Sequence, residues 1–168
     1  MKVWVTEIHK AVPRFFKAFA ERLRESDSRE ALGMTGASGP ALARLITSDV
    51  ADSIEAGGRV WTLWLGSLPV ALCGIKPDSL TASSATIWML ATRETEQQPL
   101  AFARWTRKYF AEAKAFFPHV TTYHNYAPQD HTKLIIWLRW LGARMVDGDG
   151  FVSPFTGDTF IKFEISGG

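Results

Sequence analysis

The chain has 168 residues, a formal net charge of +2 and an apolar fraction of 46%, with 7 tryptophans and 11 phenylalanines. This length predicts one domain, residues 1–168, with a large aromatic core. The weak basicity argues against a nucleic-acid-binding protein, which usually carries a concentrated basic stripe. No apolar stretch reaches the roughly 18 residues of a membrane span. The lone Cys73 excludes an internal disulfide, and no signal peptide opens the sequence, so we expect a protein that is not secreted.

The first third of the chain has the pattern of a strand followed by helices. Apolar residues alternate through 1–8, which predicts a strand. They recur at helical spacing over 13–23, which predicts a helix with one buried face. The polar stretch 26–39 contains three glycines and is predicted to be a loop or a broken helix. A second helix is predicted over 40–56, where a glycine pair ends it.

Three strands follow, and the short connections between them predict an antiparallel meander. They cover 59–65, 70–75 and 84–92, and the first two are joined by a Gly-Ser-Leu-Pro turn. The second half then alternates helices and strands, so that the whole order predicts an α+β fold with a mixed central sheet and about four flanking helices.

The elements of that second half begin with a polar loop over 93–98, after which Pro99 opens a helix. A strand is predicted over 119–126, followed by a helix that begins near His131 and closes on Leu-Gly-Ala. A terminal hairpin is predicted over 150–165.

Four segments resemble a known family. They are Pro69-Val-Ala-Leu-Cys-Gly74, Ile87-Trp-Met-Leu90, the helix 99–116 and Trp137-Leu-Arg-Trp-Leu-Gly-Ala143. Together with the order of elements, which spans nearly the whole chain, they resemble the GCN5-related N-acetyltransferase (GNAT) fold. More narrowly, they resemble a branch encoded by short-tailed bacteriophages, whose members are acetyltransferase-like or internal virion proteins.

The resemblance implies a place for acetyl-CoA. In that family the pantetheine arm lies against the strand that corresponds to 87–92. The diphosphate lies on the loop and helix N-terminus that follow, where free N–H groups and the helix dipole attract an anion. The residues that would contact the cofactor are Met89, Leu90, Thr92, Arg93, Thr95, Gln98 and His131.

The same loop departs from the family pattern. It contains no glycine, it carries the carboxylates Glu94 and Glu96, and Pro99 removes one N–H donor. The family's tyrosine, which protonates the leaving thiolate, corresponds to Leu138, and leucine cannot donate a proton. These departures predict a catalytically degenerate protein.

Three residues are candidates for acid–base chemistry. Glu94 is the best-placed carboxylate and His124 the best-placed imidazole, although both lie near strand ends, where solvated side chains are common. Tyr123 has two interpretations: it substitutes for the missing tyrosine, or it packs in the core with its hydroxyl at the surface. The four histidines show no metal-ligand spacing, and no metal site is predicted.

Three functions stay open. The first is a degenerate phage protein that acts in virion assembly or ejection, in the host cytoplasm or the virion, with other virion proteins as partners. The second is an active acetyl-CoA-dependent N-acetyltransferase. In it a protein or small amine attacks the thioester, strand amides near Met89 polarise the carbonyl, and Glu94 or His124 takes the proton. The third is a host-directed binding module that uses exposed aromatic residues, for which Trp61, Trp64 and Trp105 are candidates.

The space between two predicted strands distinguishes the first function from the second. An enzyme needs an open gap between 85–92 and 119–126, with free backbone amides. A structural protein should fill that gap with side chains, for which Trp88, Met89 and Trp137 are the candidates.

Overall fold

The computed structural model describes residues 2–168, which form a mixed seven-stranded sheet and five α-helices. The strands are β1 (Val3–Ile8), β2 (Arg59–Leu65), β3 (Leu68–Pro77), β4 (Ser84–Ala91), β5 (Thr122–Pro128), β6 (Ala143–Val152) and β7 (Thr159–Ser166). The helices are α1 (Pro13–Ala20), α2 (Glu25–Thr35), α3 (Pro40–Glu55), α4 (Pro99–Lys114) and α5 (Thr132–Trp140). The predicted α+β class and mixed central sheet are confirmed.

In the sheet the strands lie in the order β1-β2-β3-β4-β5-β7-β6. Every neighbouring pair is antiparallel except β4 and β5, which are parallel. The sheet therefore consists of two antiparallel ladders, β1 to β4 and β5-β7-β6, that meet at one parallel pair.

Two segments differ from their predictions. The polar stretch 26–39 contains a regular helix, α2, which ends at Gly36 with a φ of 74°. The predicted loop is therefore wrong. Gly36 in the left-handed conformation ends the helix and does not interrupt it. The terminal hairpin begins earlier than predicted, at the start of β6, and its residues 147–150 lie at an irregularity of strand register.

The junction of β4 and β5 is short. The two strands pair over only three residues each, 84–86 opposite 122–124, and then diverge. At the base of the resulting gap, Asn125 Nδ2 donates a hydrogen bond of 2.6 Å to the carbonyl of Ile87. The V-shaped space beyond this bond is called the gap below.

The core has a layer on each face of the sheet. On one face α1 and α3 bury Phe16, Phe19, Ile46 and Val50. On the other face α4 and α5 cover β5 and β7, where Tyr123 and Phe163 are buried. None of the helices within residues 2–168 has the length and apolarity needed to cross a membrane.

Gly74 on β3 leaves room for the indole of Trp88 on β4. A Cβ at residue 74 would lie 2.2 Å from that ring, whose Nε1 donates a hydrogen bond of 3.1 Å to Ser53 Oγ. We therefore expect Gly74→Ala to lower the free energy of unfolding by about 1–3 kcal/mol, because overpacking forces the ring to move. Urea unfolding measures this change. Gly168→Ala is the control, since an added Cβ there meets nothing within 4 Å; equal losses in the two variants would contradict the prediction.

Candidate functional site

The gap opens into a cavity of about 570 Å³ that extends beneath α4. Most of its lining is apolar or aromatic, including Met89, Tyr109, Phe110, Trp137 and Leu141. A cavity of this size and composition is suited to a small organic molecule. Met89 and Trp137 thus line the space and do not fill it.

The backbone of Met89 faces the gap. The carbonyl of Ile87 accepts the hydrogen bond from Asn125 across the gap, and the N–H of Ala91 also points away from β3. Alternate residues of a strand direct their backbone groups to the same side, so the N–H of Met89 points into the gap as well. This is one of the strand amides predicted to polarise a carbonyl.

A segment of the chain itself lies along the last part of β4. It covers residues 21–27, from the end of α1 through the first turn of α2, and is called the strap below. Arg24 N donates to the carbonyl of Ala91 at 3.0 Å, and Arg93 N donates to the carbonyl of Arg22 at 2.9 Å. The Asp27 carboxylate accepts a hydrogen bond of 2.6 Å from the N–H of Ala91. Both backbone groups of Ala91 are therefore engaged by the strap.

Asp27 is a buried carboxylate at this contact, with 5% of its surface exposed. Arg24 Nη2 donates to its Oδ1 at 2.8 Å. Desolvation raises the pKa of the Asp27 carboxyl, although Arg24 and the N–H of Ala91 oppose the increase. Glu30, one turn further along α2, lines the same cavity, and burial together with the charge of Asp27 raises its pKa to about 8.

The loop after β4 is bound to the strap. It forms a short 3-10 helix, Arg93–Gln97, and not an open anion-binding turn. The guanidinium of Arg93 donates to the carbonyl of Glu21 at 3.3 Å. The arginine predicted to meet a phosphate therefore contacts the chain's own backbone.

Glu94 in this loop faces a cation from the strap. Its Oε1 lies 3.5 Å from Arg22 Nη1, while Arg22 Nη2 donates to the carbonyl of Pro69 at 2.8 Å. Desolvation raises the pKa of the Glu94 carboxyl. Thr92, the loop backbone and Arg22 lower it by more than this increase, so the net pKa is below its ordinary value. The ionised Glu94 carboxylate therefore lies at the position where an anionic ligand would need a positively charged group.

The N-terminus of α4 lacks one of the donors that a diphosphate would use. Pro99 has no N–H, and in the preceding loop the N–H groups of Thr95 and Gln98 already donate to backbone carbonyls. Acetyl-CoA in the arrangement that the resemblance implies would therefore meet the ionised Glu94 carboxylate and would have to displace the strap from Ala91.

The predicted cofactor residues do not converge on one site. Met89 lines the large cavity, and both Met89 and Leu90 line a second cavity of about 510 Å³ beside α3. Thr92 and Thr95 are buried, and the Thr95 hydroxyl donates to the carbonyl of Thr92 at 2.8 Å. The Thr95 hydroxyl is therefore used within the loop itself.

The remaining two cofactor predictions lie at helix N-termini. Gln98 is exposed before α4, and His131 is partly buried before α5. Desolvation and the nearby Arg24 lower the pKa of His131, which favours a neutral imidazole. The contacts of both residues with a cofactor stay predictions.

The other acid–base candidates are far from the strap. His124 Nε2 lies 2.7 Å from Asp78 Oδ2, at the closed end of the gap. Tyr123 is fully buried, its ring 5.5 Å from that of Phe110, and its hydroxyl has no hydrogen-bond partner among residues 2–168. Burial raises the pKa of Tyr123. The expectation of a surface hydroxyl is therefore wrong, because α4 covers the ring.

Sequence reasoning missed the polar residues that line the gap. Among these polar residues, only Asn125 had a recognisable signal in the sequence, which is an amide side chain in the middle of a predicted strand. Arg24, Asp27 and Glu30 belong to or border a stretch predicted as loop or broken helix, and no pattern placed that stretch beside β4.

Cys73 on β3 lines the large cavity, and burial raises its pKa from 9.0 to about 12. Because the thiolate is the reactive form, its lower population should slow the reaction with Ellman's reagent at pH 8 by well over tenfold relative to the urea-unfolded chain, although the greater nucleophilicity of a high-pKa thiolate offsets part of the loss. Stopped-flow absorbance measures both rates. Rates within tenfold of each other would mean that the thiol is hydrated through the cavity.

No protein-family model matches this sequence, and no curated protein matches it. Solved structures do match. The GNAT domain of S. lividans PAT is 12% identical with a TM-score of 0.71, over 96% of this chain and 89% of that one. Ribosomal-protein-alanine N-acetyltransferase from Brucella melitensis is 9% identical with a TM-score of 0.70, over 97% and 99%. Spermidine N-acetyltransferase from Vibrio cholerae, in complex with CoA and spermine, is 10% identical with a TM-score of 0.66, over 98% and 95%. The chain therefore has the fold of the GNAT acetyltransferases.

Proposed function

We propose that this chain is an acetyltransferase-fold protein that acts by binding a partner and does not transfer acetyl groups. The observation that carries the proposal is the state of Ala91 on β4. Its N–H is bound by Asp27 and its carbonyl by Arg24, at the edge where the resemblance places the pantetheine arm. An arm that lies along this edge would have to replace both hydrogen bonds.

The loop supports the same conclusion independently. Arg93 contacts a backbone carbonyl of the strap, and Glu94 pairs with Arg22. A diphosphate at this position would meet a carboxylate, and like charges in a partly desolvated loop repel.

The setting that we propose is the one that the sequence resemblance implies, a short-tailed phage whose virion proteins are the partners. The supporting surface is on α5, where Ile136 and Trp140 are four residues apart and 62% and 43% exposed. Arg107 of α4 stacks on the Trp140 ring at 4.6 Å. An exposed Trp beside Arg is a composition common at protein interfaces. The aromatic residues singled out from the sequence, Trp61, Trp64 and Trp105, are only partly exposed.

A second candidate is the active N-acetyltransferase on a protein or small amine. The cavity of about 570 Å³ and the N-H of Met89 that points into the gap favour it. Among the matching structures, the Vibrio cholerae enzyme was solved with CoA.

Isothermal titration of the purified protein with acetyl-CoA decides between these candidates. We expect no binding heat at about 1 mM cofactor from a folded sample. We also expect no release of free thiol when a set of amines is added. Micromolar binding with thiol release would overturn the proposal and establish the transferase.

Capture on tagged protein tests the partner. We expect virion proteins from a phage-infected lysate to be retained, and Trp140→Ser to reduce their retention about tenfold or more, as for an interface hot spot. Leu100→Ser is the control, because Leu100 is an apolar side chain of α4 that is 75% exposed. Retention of one host protein instead would favour a host-directed binding module.

A further inference from the structure

We propose that the strap is an autoinhibitory element, which closes the edge of β4 against an amide-bearing arm and opens that edge when displaced. The inference rests on the proposed function, since it explains why acetyl transfer is absent in this form of the chain. It assigns the closure to seven residues, 21–27, that belong to no sheet strand.

The strap imitates a strand. Leu23 and Thr92 form an antiparallel bridge, flanked by the hydrogen bonds from Arg24 N and Arg93 N. Asp27 adds a side-chain acceptor for the next free N–H, that of Ala91. A pantetheine arm, which carries two secondary amides, would need the same backbone donors and acceptors. The strap and such an arm therefore compete for one edge.

The contact between the strap and the loop is poorly satisfied. Arg22 Nη1 makes only the 3.5 Å ion pair with Glu94 Oε1, and Glu94 Oε2 is buried without a hydrogen-bond partner in residues 2–168. Buried polar atoms are nearly always bonded, and an exception weakens the contact that contains it. This contact therefore holds the strap less firmly than a fully hydrogen-bonded ion pair would.

The chemistry around the strap also limits what the opened edge can hold. The gap beneath it is lined by apolar side chains such as Met89 and Trp137, which suit an uncharged chain. The loop carries the Glu94 carboxylate and leads into a helix whose first residue is Pro99. A negative charge and a missing N–H donor do not suit a diphosphate. The ligand class is therefore an uncharged arm with strand-like amides, recognised without help from a nucleotide.

Two variants release the strap at different points. Asp27→Ala frees the N–H of Ala91, and Arg22→Ala removes the contacts to Glu94 and Pro69. Glu25→Ala is the control, since Glu25 is exposed on the first turn of α2. Amide exchange of Ala91 measures opening, and circular dichroism reports folding. If Asp27→Ala does not fold, Arg22→Ala carries the test.

The probes are S-acetylpantetheine and acetyl-CoA, titrated into the wild type and each variant. We expect no heat with the wild type at about 1 mM, and binding of both probes to the released variants with Kd values within about threefold of each other. Faster amide exchange without binding in the folded variants would overturn the strap proposal and leave the proposed function intact. Micromolar binding to the wild type would overturn the proposed function. Binding of acetyl-CoA much tighter than that of S-acetylpantetheine would overturn the inferred ligand class.

Discussion

Asp27→Ala is expected to lower the free energy of unfolding by about 3–5 kcal/mol, which is the usual loss when one member of a buried ion pair is removed. The Asp27 side chain is 7% exposed and that of Arg24 is 21% exposed. Without the carboxylate, the guanidinium and the N–H of Ala91 both lose their partner in a desolvated place. Urea unfolding monitored by tryptophan fluorescence measures the change.

Asp27→Asn separates the two contributions. Its side-chain oxygen still accepts from the N–H of Ala91, while the charge opposite Arg24 is gone, so we expect a loss of about 1–2 kcal/mol. Glu25→Ala on the same helix should change stability by less than about 0.5 kcal/mol. A loss below about 1 kcal/mol for Asp27→Ala would contradict the packing of the strap against β4.

The second large effect is a dependence of stability on pH that arises from Glu30. Its pKa is about 8 in the folded protein, against an ordinary value of 4.5. Between these values the unfolded chain ionises Glu30 and the folded chain does not, so the unfolded state is favoured increasingly as the pH rises. Glu30 therefore contributes a loss of stability from pH 5 to pH 8 of up to about 1.4 kcal/mol per pH unit, and none below pH 4.

Glu30→Gln should remove this dependence. We expect the variant to be similar to the wild type at pH 5 and more stable at pH 8, and urea unfolding at several pH values measures the difference. Glu25→Gln provides the control for a glutamate on the same helix that is exposed. Parallel stability curves for wild type and Glu30→Gln would mean that Glu30 is hydrated through the cavity and titrates normally.

The fold could be predicted from the sequence because its signals are local. Alternation marked β1 and β2, and helical spacing of phenylalanines marked the buried face of α1. The resemblance was then confirmed at the level of the fold by structures that are only 9–12% identical. α2 was the weakest prediction, because its serines and charges form no apolar stripe.

The site could not be predicted to the same extent, for a physical reason. The strap contacts β4 across more than 60 residues of sequence, as in the bond from Ala91 to Asp27. Long-range contacts of this kind depend on where the chain turns, and they leave no recognisable pattern of residues in the sequence. The loop was different, since the absence of glycine and the presence of Pro99 were visible in the sequence, and the structure shows the N–H groups of Arg93, Thr95 and Gln98 already used.

The short junction between β4 and β5 divides the chain into two pieces that each complete a ladder. Residues 2–98 contain β1 to β4 with the strap, and residues 99–168 contain the other three strands with α4 and α5. Across the described sheet, these pieces pair only at the three-residue junction. A cut after Gln98 would therefore sever no ladder and would yield two complementary fragments. Their reassembly would be a split-protein assay, in which a molecule wedged into the gap changes the association of the halves.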